Sequence, residues 1–214
     1  MPRIKPLPRA EADPRVAALY DRVFGPDRDP AVSPGTATGT PGNFFTTWGH
    51  VPEILLALQS YAPNPPVLDP KLRAIACART GYVNQSHFVF SQNCKGARAV
   101  GVEEAKIAAI PYWNIAKVFN DTEQAVLAFV DGHVLEGGRV RDEVIDALKE
   151  TLREDEILAL ALIVGMYQMH STGCVALKLE YDDVPDRIVE IPAPASPSVQ
   201  DWLDPKWADA AAGR

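Results

Sequence analysis

The sequence predicts an all-α fold, and three observations carry that prediction. Apolar residues recur at helical spacing in one segment after another, several segments open on a capping residue followed by proline, and no stretch alternates polar and apolar residues as a half-buried strand would. With 214 residues, 47% of them hydrophobic, the chain is long enough to bury a sizeable core in one well-packed domain. Its formal charge of -7, spread without long runs of one sign, argues against a phosphate footprint or an anionic membrane surface and favours small molecules and protein partners. The longest apolar run, Ile157 to Tyr167, falls short of the roughly 20 residues a spanning helix needs. The proline-broken start has no apolar core of signal-peptide length, and Cys77, Cys94 and Cys174 form no CxxC pair, so a reducing cytoplasm is expected.

The first helix opens on Asp13 as N-cap with Pro14 at its first position, places Val16, Leu19, Tyr20 and Val23 on one face, and stops at Gly25. Residues 25 to 42, rich in proline, glycine and threonine, read as a long connection or arm. Pro52 opens a helix carrying Ile54, Leu55 and Leu58, and Asp69-Pro70 opens another through Leu72, Ile75 and Ala78 that Gly81 interrupts. From Gln85 to Val100 a stripe of Ser86, Phe90, Asn93, Ala97 and Val100 resumes, closed by Gly101. Asp121-Thr122-Glu123-Gln124 resembles a capping box for a helix to about His133, ended by Gly137-Gly138. Val140 to Leu152 and Glu154 to about Leu179 supply two more helices, the second nearly all apolar at its centre. The Pro-rich tail after Ile191 carries Trp202 and Trp207 as anchors for wrapping a neighbouring subunit.

Leu72 to Arg79, then Asn84-Gln85-Ser86-His87-Phe88-Val89-Phe90, then Ala97-Arg98-Ala99-Val100-Gly101-Val102, resemble the core motif of the carboxymuconolactone decarboxylase family, which includes AhpD-like peroxidases. The resemblance runs from about Asn43 to Asp182, with His50-Val51-Pro52, Val130-Asp131-Gly132-His133 and Gly165-Met166-Tyr167 as further matches. It implies an AhpD-like helical bundle that self-associates as a dimer, trimer or hexamer. AhpD-like members use a glutamate, a CxxC pair and a histidine to activate a thiolate. By position those fall here on Ala74, Ser86, Val89 and Asn93, so all four are replaced, and the decarboxylases' proton-transfer set is missing as well.

Candidate chemistry therefore rests on other residues. His87 beside Ser86 offers an imidazole for general acid or base work, against the plainer role of a surface or interface histidine. Ser86 and Asn93, two turns apart on one helix face, either present a hydroxyl and an amide to one ligand or serve as a small packing residue and a satisfied core amide. His50 at a helix start is a weaker candidate, and His133 near a helix C-terminus suits the dipole. His170 and Gln168 interrupt an apolar helix and line either a cavity or a subunit contact. Phe90 and Tyr112 would supply aromatic pocket wall, with Pro111-Tyr112-Trp113 as a lid. No tight metal-ligand spacing is present, and neither metal nor cofactor is expected. Cys77 and Cys94, as a relocated redox pair, are outweighed by the reading of buried structural thiols.

The chain thus divides into residues 1–42 (helix and arm), 43–183 (family-like helical domain) and 184–214 (tail). The expected function is non-redox acid/base chemistry (decarboxylation, elimination or isomerisation) on a small organic acid, lactone or oxygenated ring, with His87 as proton carrier and Ser86, Asn93, Phe90, Tyr112 and His50 holding substrate. The alternatives are a thiol peroxidase-like oxidoreductase and a non-catalytic binding or assembly protein.

Overall fold

The computed structural model describes residues 2–34, 42–60 and 66–179, and every regular element among them is helical. The order is α1 (Pro14–Phe24), α2 (Gly42–Trp48), α3 (Pro52–Ser60), α4 (Pro70–Val83), α5 (His87–Ala99), α6 (Glu104–Ala109), α7 (Asp121–Val134), α8 (Asp142–Lys149) and α9 (Glu154–Leu177), with short 3-10 turns at Arg9–Glu11 and Ile110–Tyr112. The tail anchors Trp202 and Trp207 lie outside the described residues.

Helix α4 is the hub, because it packs against α5, α7, α9 and the Ile110–Tyr112 turn. Its start follows from Asp69, whose carboxylate accepts the backbone N–H groups of Lys71 and Leu72 while Pro70 occupies the first turn. One face, through Ala76 and Cys77, joins α7, α8 and α9 in a core with Phe129, Val130, Leu148, Leu160 and Val164. The other face, through Ile75 and Ala78, packs on Phe90, Cys94, Ala97, Ile107, Ile110 and Leu127. A separate cluster joins α1, α2, α3, the start of α5 and the end of α9 around Tyr20, Phe44, Phe45, Leu55, Phe88 and Cys174. The N-terminal segment straps this cluster: the Arg3 N–H donates to the Leu177 carbonyl and the Leu7 N–H to the Thr46 carbonyl, both at 2.9 Å.

Three expectations change. Gly81 does not interrupt α4, which runs on to Val83; a Cβ there would lie 2.7 Å from the Phe90 backbone nitrogen, so the glycine marks where α5 crosses α4 at backbone contact. The corner is then made by Gln85 at φ 55° and Ser86. Residues 35–41 of the expected arm lie outside the described residues, and its last residue, Gly42, opens α2, a helix whose aromatic and threonine residues have weak helix propensity. The capping box of α7 is built one residue earlier, by Asn120 and Glu123. On α1 Phe24 is buried in the core, and Val23 packs partly buried against it, as expected.

Helix α9 is apolar on all sides, and by length and composition alone it is long and apolar enough to cross a membrane. Here it is a core helix, burying Leu160, Ile163, Val164, Ser171 and Cys174 while Leu158, Leu162, Met169 and Val175 face outward.

The backbone crossing makes a specific demand. Gly81→Ala should lower the free energy of urea unfolding by about 1–3 kcal/mol through overpacking. Gly96→Ala, on the same helix pair but with nothing within 4 Å of the added Cβ, should instead raise it by up to about 1 kcal/mol. Equal effects of the two substitutions would contradict the packing argument.

Candidate functional site

The residues singled out from sequence fall into three environments. His87 is the exposed first residue of α5, and Tyr112 and His50 are exposed too, the His50 Nε2 lying 2.9 Å from the Lys5 carbonyl oxygen. Ser86 is buried and caps α5, its Oγ accepting the Val89 N–H at 3.4 Å, while the Asn93 amide donates to the Val89 carbonyl at 2.7 Å. Phe90 packs in the α4–α5–α6 core edge-on to Tyr82, with ring centroids 5.5 Å apart. His133 stacks on Phe129 at 5.8 Å near the end of α7. Of the two positions at which the resemblance places thiols, Ser86 caps α5 and Val89 is a core side chain.

Cys77, Cys94 and Cys174 are all buried. Burial pushes the Cys77 thiol up to about 12, which removes it from thiolate chemistry near neutrality. Cys77, Cys94 and Cys174 sit in three different core clusters, so Cys77 and Cys94 do not form a facing pair. Among the described residues no three His, Cys, Asp or Glu side chains gather as a metal-ligand group.

Two polar features were not resolved from sequence. The first is Arg79, buried on α4, whose guanidinium grips both carboxylate oxygens of Asp131 on α7 at 2.7 and 2.9 Å and donates to the Ile110 and Pro111 carbonyls. The Trp113 indole N–H donates to the same carboxylate at 2.9 Å. This network ties α4, α7 and the turn after α6 together, and the expected aromatic lid is one of its anchors. A buried pair of this kind holds register more than it adds stability, since losing one partner strands the other charge. The signal was an arginine amid the apolar face of α4.

The second is His170, which the sequence left between cavity and interface. It faces inward: its ring stacks on Phe44 at 4.6 Å and lies 5.7 Å from Tyr167 and 6.2 Å from Phe88. Its Nε2 is sealed from solvent without a hydrogen-bond partner. Desolvation lowers its pKa to about 4, so it is a neutral imidazole at physiological pH. On the far side of Tyr167, the phenol hydroxyl meets the Cys77 thiol and burial raises its pKa. A neutral ring nitrogen held among aromatic faces accepts or donates one proton depending on tautomer, and it discriminates against charged partners.

An all-helical fold built on a tight α4–α5 pair is that of the AhpD-like helical proteins. Solved structures similar to it include a protein of unknown function from Agrobacterium tumefaciens proposed as an antioxidant defence protein AhpD (19% identity, TM-score 0.55, 64% of this chain and 90% of that one). The debrominase Bmp8 is also similar (16%, TM-score 0.65, 84% and 92%), and a cysteine-to-alanine form of it has been solved with 2,3,4-tribromopyrrole. So is an AhpD-core, peroxidase-related protein from Ralstonia eutropha JMP134 (15%, TM-score 0.61, 79% and 84%). At these identities the likeness concerns the fold. The carboxymuconolactone decarboxylase family model matches residues 50–132, and over that stretch the chain is similar to this family. Among curated proteins none matches its sequence.

The buried imidazole sets a pH dependence with a definite sign. Between about 6.5 and about 4 the unfolded chain binds a proton at His170 that the folded chain refuses, so stability falls as pH falls through that window. The gap corresponds to about 3 kcal/mol at its full extent. Urea unfolding at pH 7 and pH 4 should show His170→Phe losing that much less stability than wild type; the same acid loss in both proteins would contradict the burial of the imidazole.

Proposed function

We propose that this protein is a non-redox enzyme of the carboxymuconolactone decarboxylase family, using imidazole acid/base chemistry on a small organic acid, lactone or other oxygenated ring. The observation that supports it most is the exchange of roles around α5. Positions that carry a thiol pair in AhpD-like relatives serve as cap and core, while His170 brings a neutral, partnerless imidazole nitrogen among three aromatic rings on the neighbouring helix. His170 takes the part expected of His87, because His87 sits exposed on the first turn of α5. A deprotonated imidazole with one nitrogen directed at substrate is suited to taking a proton next to a carbonyl or donating its N–H to a developing oxyanion. That a structure of this fold holds 2,3,4-tribromopyrrole supports a flat ring as the kind of molecule the bundle accommodates.

The thiol peroxidase reading has less to stand on, since each cysteine is buried and the Cys77 thiol is pushed up to about 12. Self-association belongs to the proposal too: Leu158, Leu162, Met169 and Val175 give α9 an apolar outer face suited to a second copy.

The deciding experiment is a turnover assay against muconolactone-type lactones, hydroxylated ring acids and hydroperoxides. Turnover of a lactone or ring acid should survive treatment of the native protein with iodoacetamide, fall at least about 100-fold in His170→Gln, and stay within a few-fold in His87→Ala. Hydroperoxide reduction abolished by Cys94→Ser would overturn the proposal in favour of thiol chemistry.

A further inference from the structure

Serine and threonine hydroxyls inside helices ordinarily bond back to the carbonyl one turn earlier. Thr46 does so to Gly42 at 3.0 Å, Thr80 to Ala76 at 2.8 Å and Thr172 to Gln168 at 3.0 Å. Four buried side-chain atoms among the described residues make no hydrogen bond: Thr47 Oγ1, Ser91 Oγ, His170 Nε2 and Ser171 Oγ. Leaving such a group unsatisfied costs about 1–3 kcal/mol, so their distribution carries information. All four lie on α2, α5 and α9.

Their spacing carries more. Each of the three helices presents an aromatic ring three residues before the unpartnered polar atom: Phe44 and Thr47 on α2, Phe88 and Ser91 on α5, Tyr167 and His170 on α9. Residues three apart share a helix face, and all three rings converge on the His170 imidazole. At about 100° per residue, Phe88 and Ser91 point away from the side of α5 that holds Ser86, Val89 and Asn93. Val89, where the resemblance places a thiol, packs in the same core cluster as Phe44 and Phe88, so the polar atoms stand on the far side of α5 from a position that adjoins the rings. Its electrostatics are neutral. The buried charged residues, Arg79 and Glu123, lie on α4 and α7 and are matched by Asp131 and Lys106.

We propose that α2, α5 and α9 form a binding site for an uncharged flat ring, aromatic, heteroaromatic or an unsaturated lactone, bearing at least two hydrogen-bonding groups. The ring faces meet Phe44, Phe88 and Tyr167, and its polar edge satisfies His170 Nε2 and the hydroxyls of Thr47 and Ser91. The polar atoms are sealed in the structure, so α2 moves aside to admit the ring. This helix of seven residues is tethered through the Leu7 N–H on the Thr46 carbonyl and through its ring contacts. The site rests on the enzymatic reading and narrows it to the neutral lactones and oxygenated rings, setting the charged acids aside, but binding does not require turnover, and the two fail separately.

The test is isothermal titration calorimetry of the full chain with resorcinol, 2-pyridone and 2(5H)-furanone, with benzene and benzoate as controls lacking polar groups or carrying charge. At least one neutral polar ring should bind, and bind at least tenfold more tightly than either control. The double variant Thr47→Val, Ser91→Ala should lose at least tenfold in that affinity with an unchanged or higher Tm, since it removes unsatisfied hydroxyls from the unliganded protein. His170→Gln gives an independent second reading of the same loss. Failure of all three rings to bind wild type, or equal affinity in wild type and both variants, would overturn the site. Ring binding that the variants weaken, in a protein that turns nothing over, would sustain the site and remove the enzymatic reading. Turnover at unaltered KM in the double variant would do the reverse.

Discussion

The close crossing of α4 and α5 at Gly81 is the constraint on which the rest of the molecule depends. With backbone against backbone at that point, both helices are locked in rotation, and each face of α4 is committed to a different core. One face receives α7, α8 and α9; the other receives α5 and α6. The Arg79 and Asp131 pair then fixes α7 against α4 from the side, using a guanidinium fork whose geometry admits few alternatives. With α4, α5 and α7 so placed, the far half of α9 has a defined position beside the start of α5, and α2 closes over both. The aromatic cluster around His170 is thus a consequence of a packing decision made at a glycine some distance away along the chain.

The same arrangement sets the first turn of α5 apart from the polar cluster at His170. Position 86 lies where the chain turns into α5, and a side chain there either reacts or caps the helix. Serine caps. With Val89 buried in the core, the first turn of α5 carries no thiol to act as a nucleophile. Polarity reappears on the other side of the helix, where hydroxyls and an imidazole are held apart from water and from one another's reach. Buried polar groups without partners are rare in native proteins and ask for an explanation at each occurrence. Three of the four among the described residues, at Thr47, Ser91 and His170, each follow an aromatic ring on the same helix face and ask for one explanation, which a bound ring supplies.

Much of this was legible in the residues. Helical periodicity and the Asp-Pro starts located α1, α3, α4 and α9 because capping is local chemistry that tertiary contacts seldom overrule. The all-helical class followed from the same signals. Gly81 was misread as a break because a glycine that permits a turn and a glycine that permits a close approach look identical in one dimension. Helix α2 escaped notice because Phe44, Phe45, Thr46 and Thr47 have weak helix propensity and form a helix only with their rings packed in the core. His170 was visible as a polar interruption in α9, but which way it faced depended on α2, an element the sequence did not announce. Thr47 and Ser91 gave no signal at all, since a helical hydroxyl is normally satisfied by its own backbone and only three dimensions show that these are not.

The central claim is that a neutral, buried imidazole at residue 170 is the polar heart of the site. Nitrogen-15 NMR of the four histidines through a titration from pH 8 to pH 4.5 tests it directly, with His170→Gln used for assignment. Burial of the His170 imidazole, with its pKa lowered to about 4, predicts that this ring stays largely neutral across the range, and that its Nε2 resonance shifts markedly when a neutral ring ligand is added. An imidazole at residue 170 that protonates near its ordinary 6.5, unresponsive to any ring, would contradict both its burial and its role.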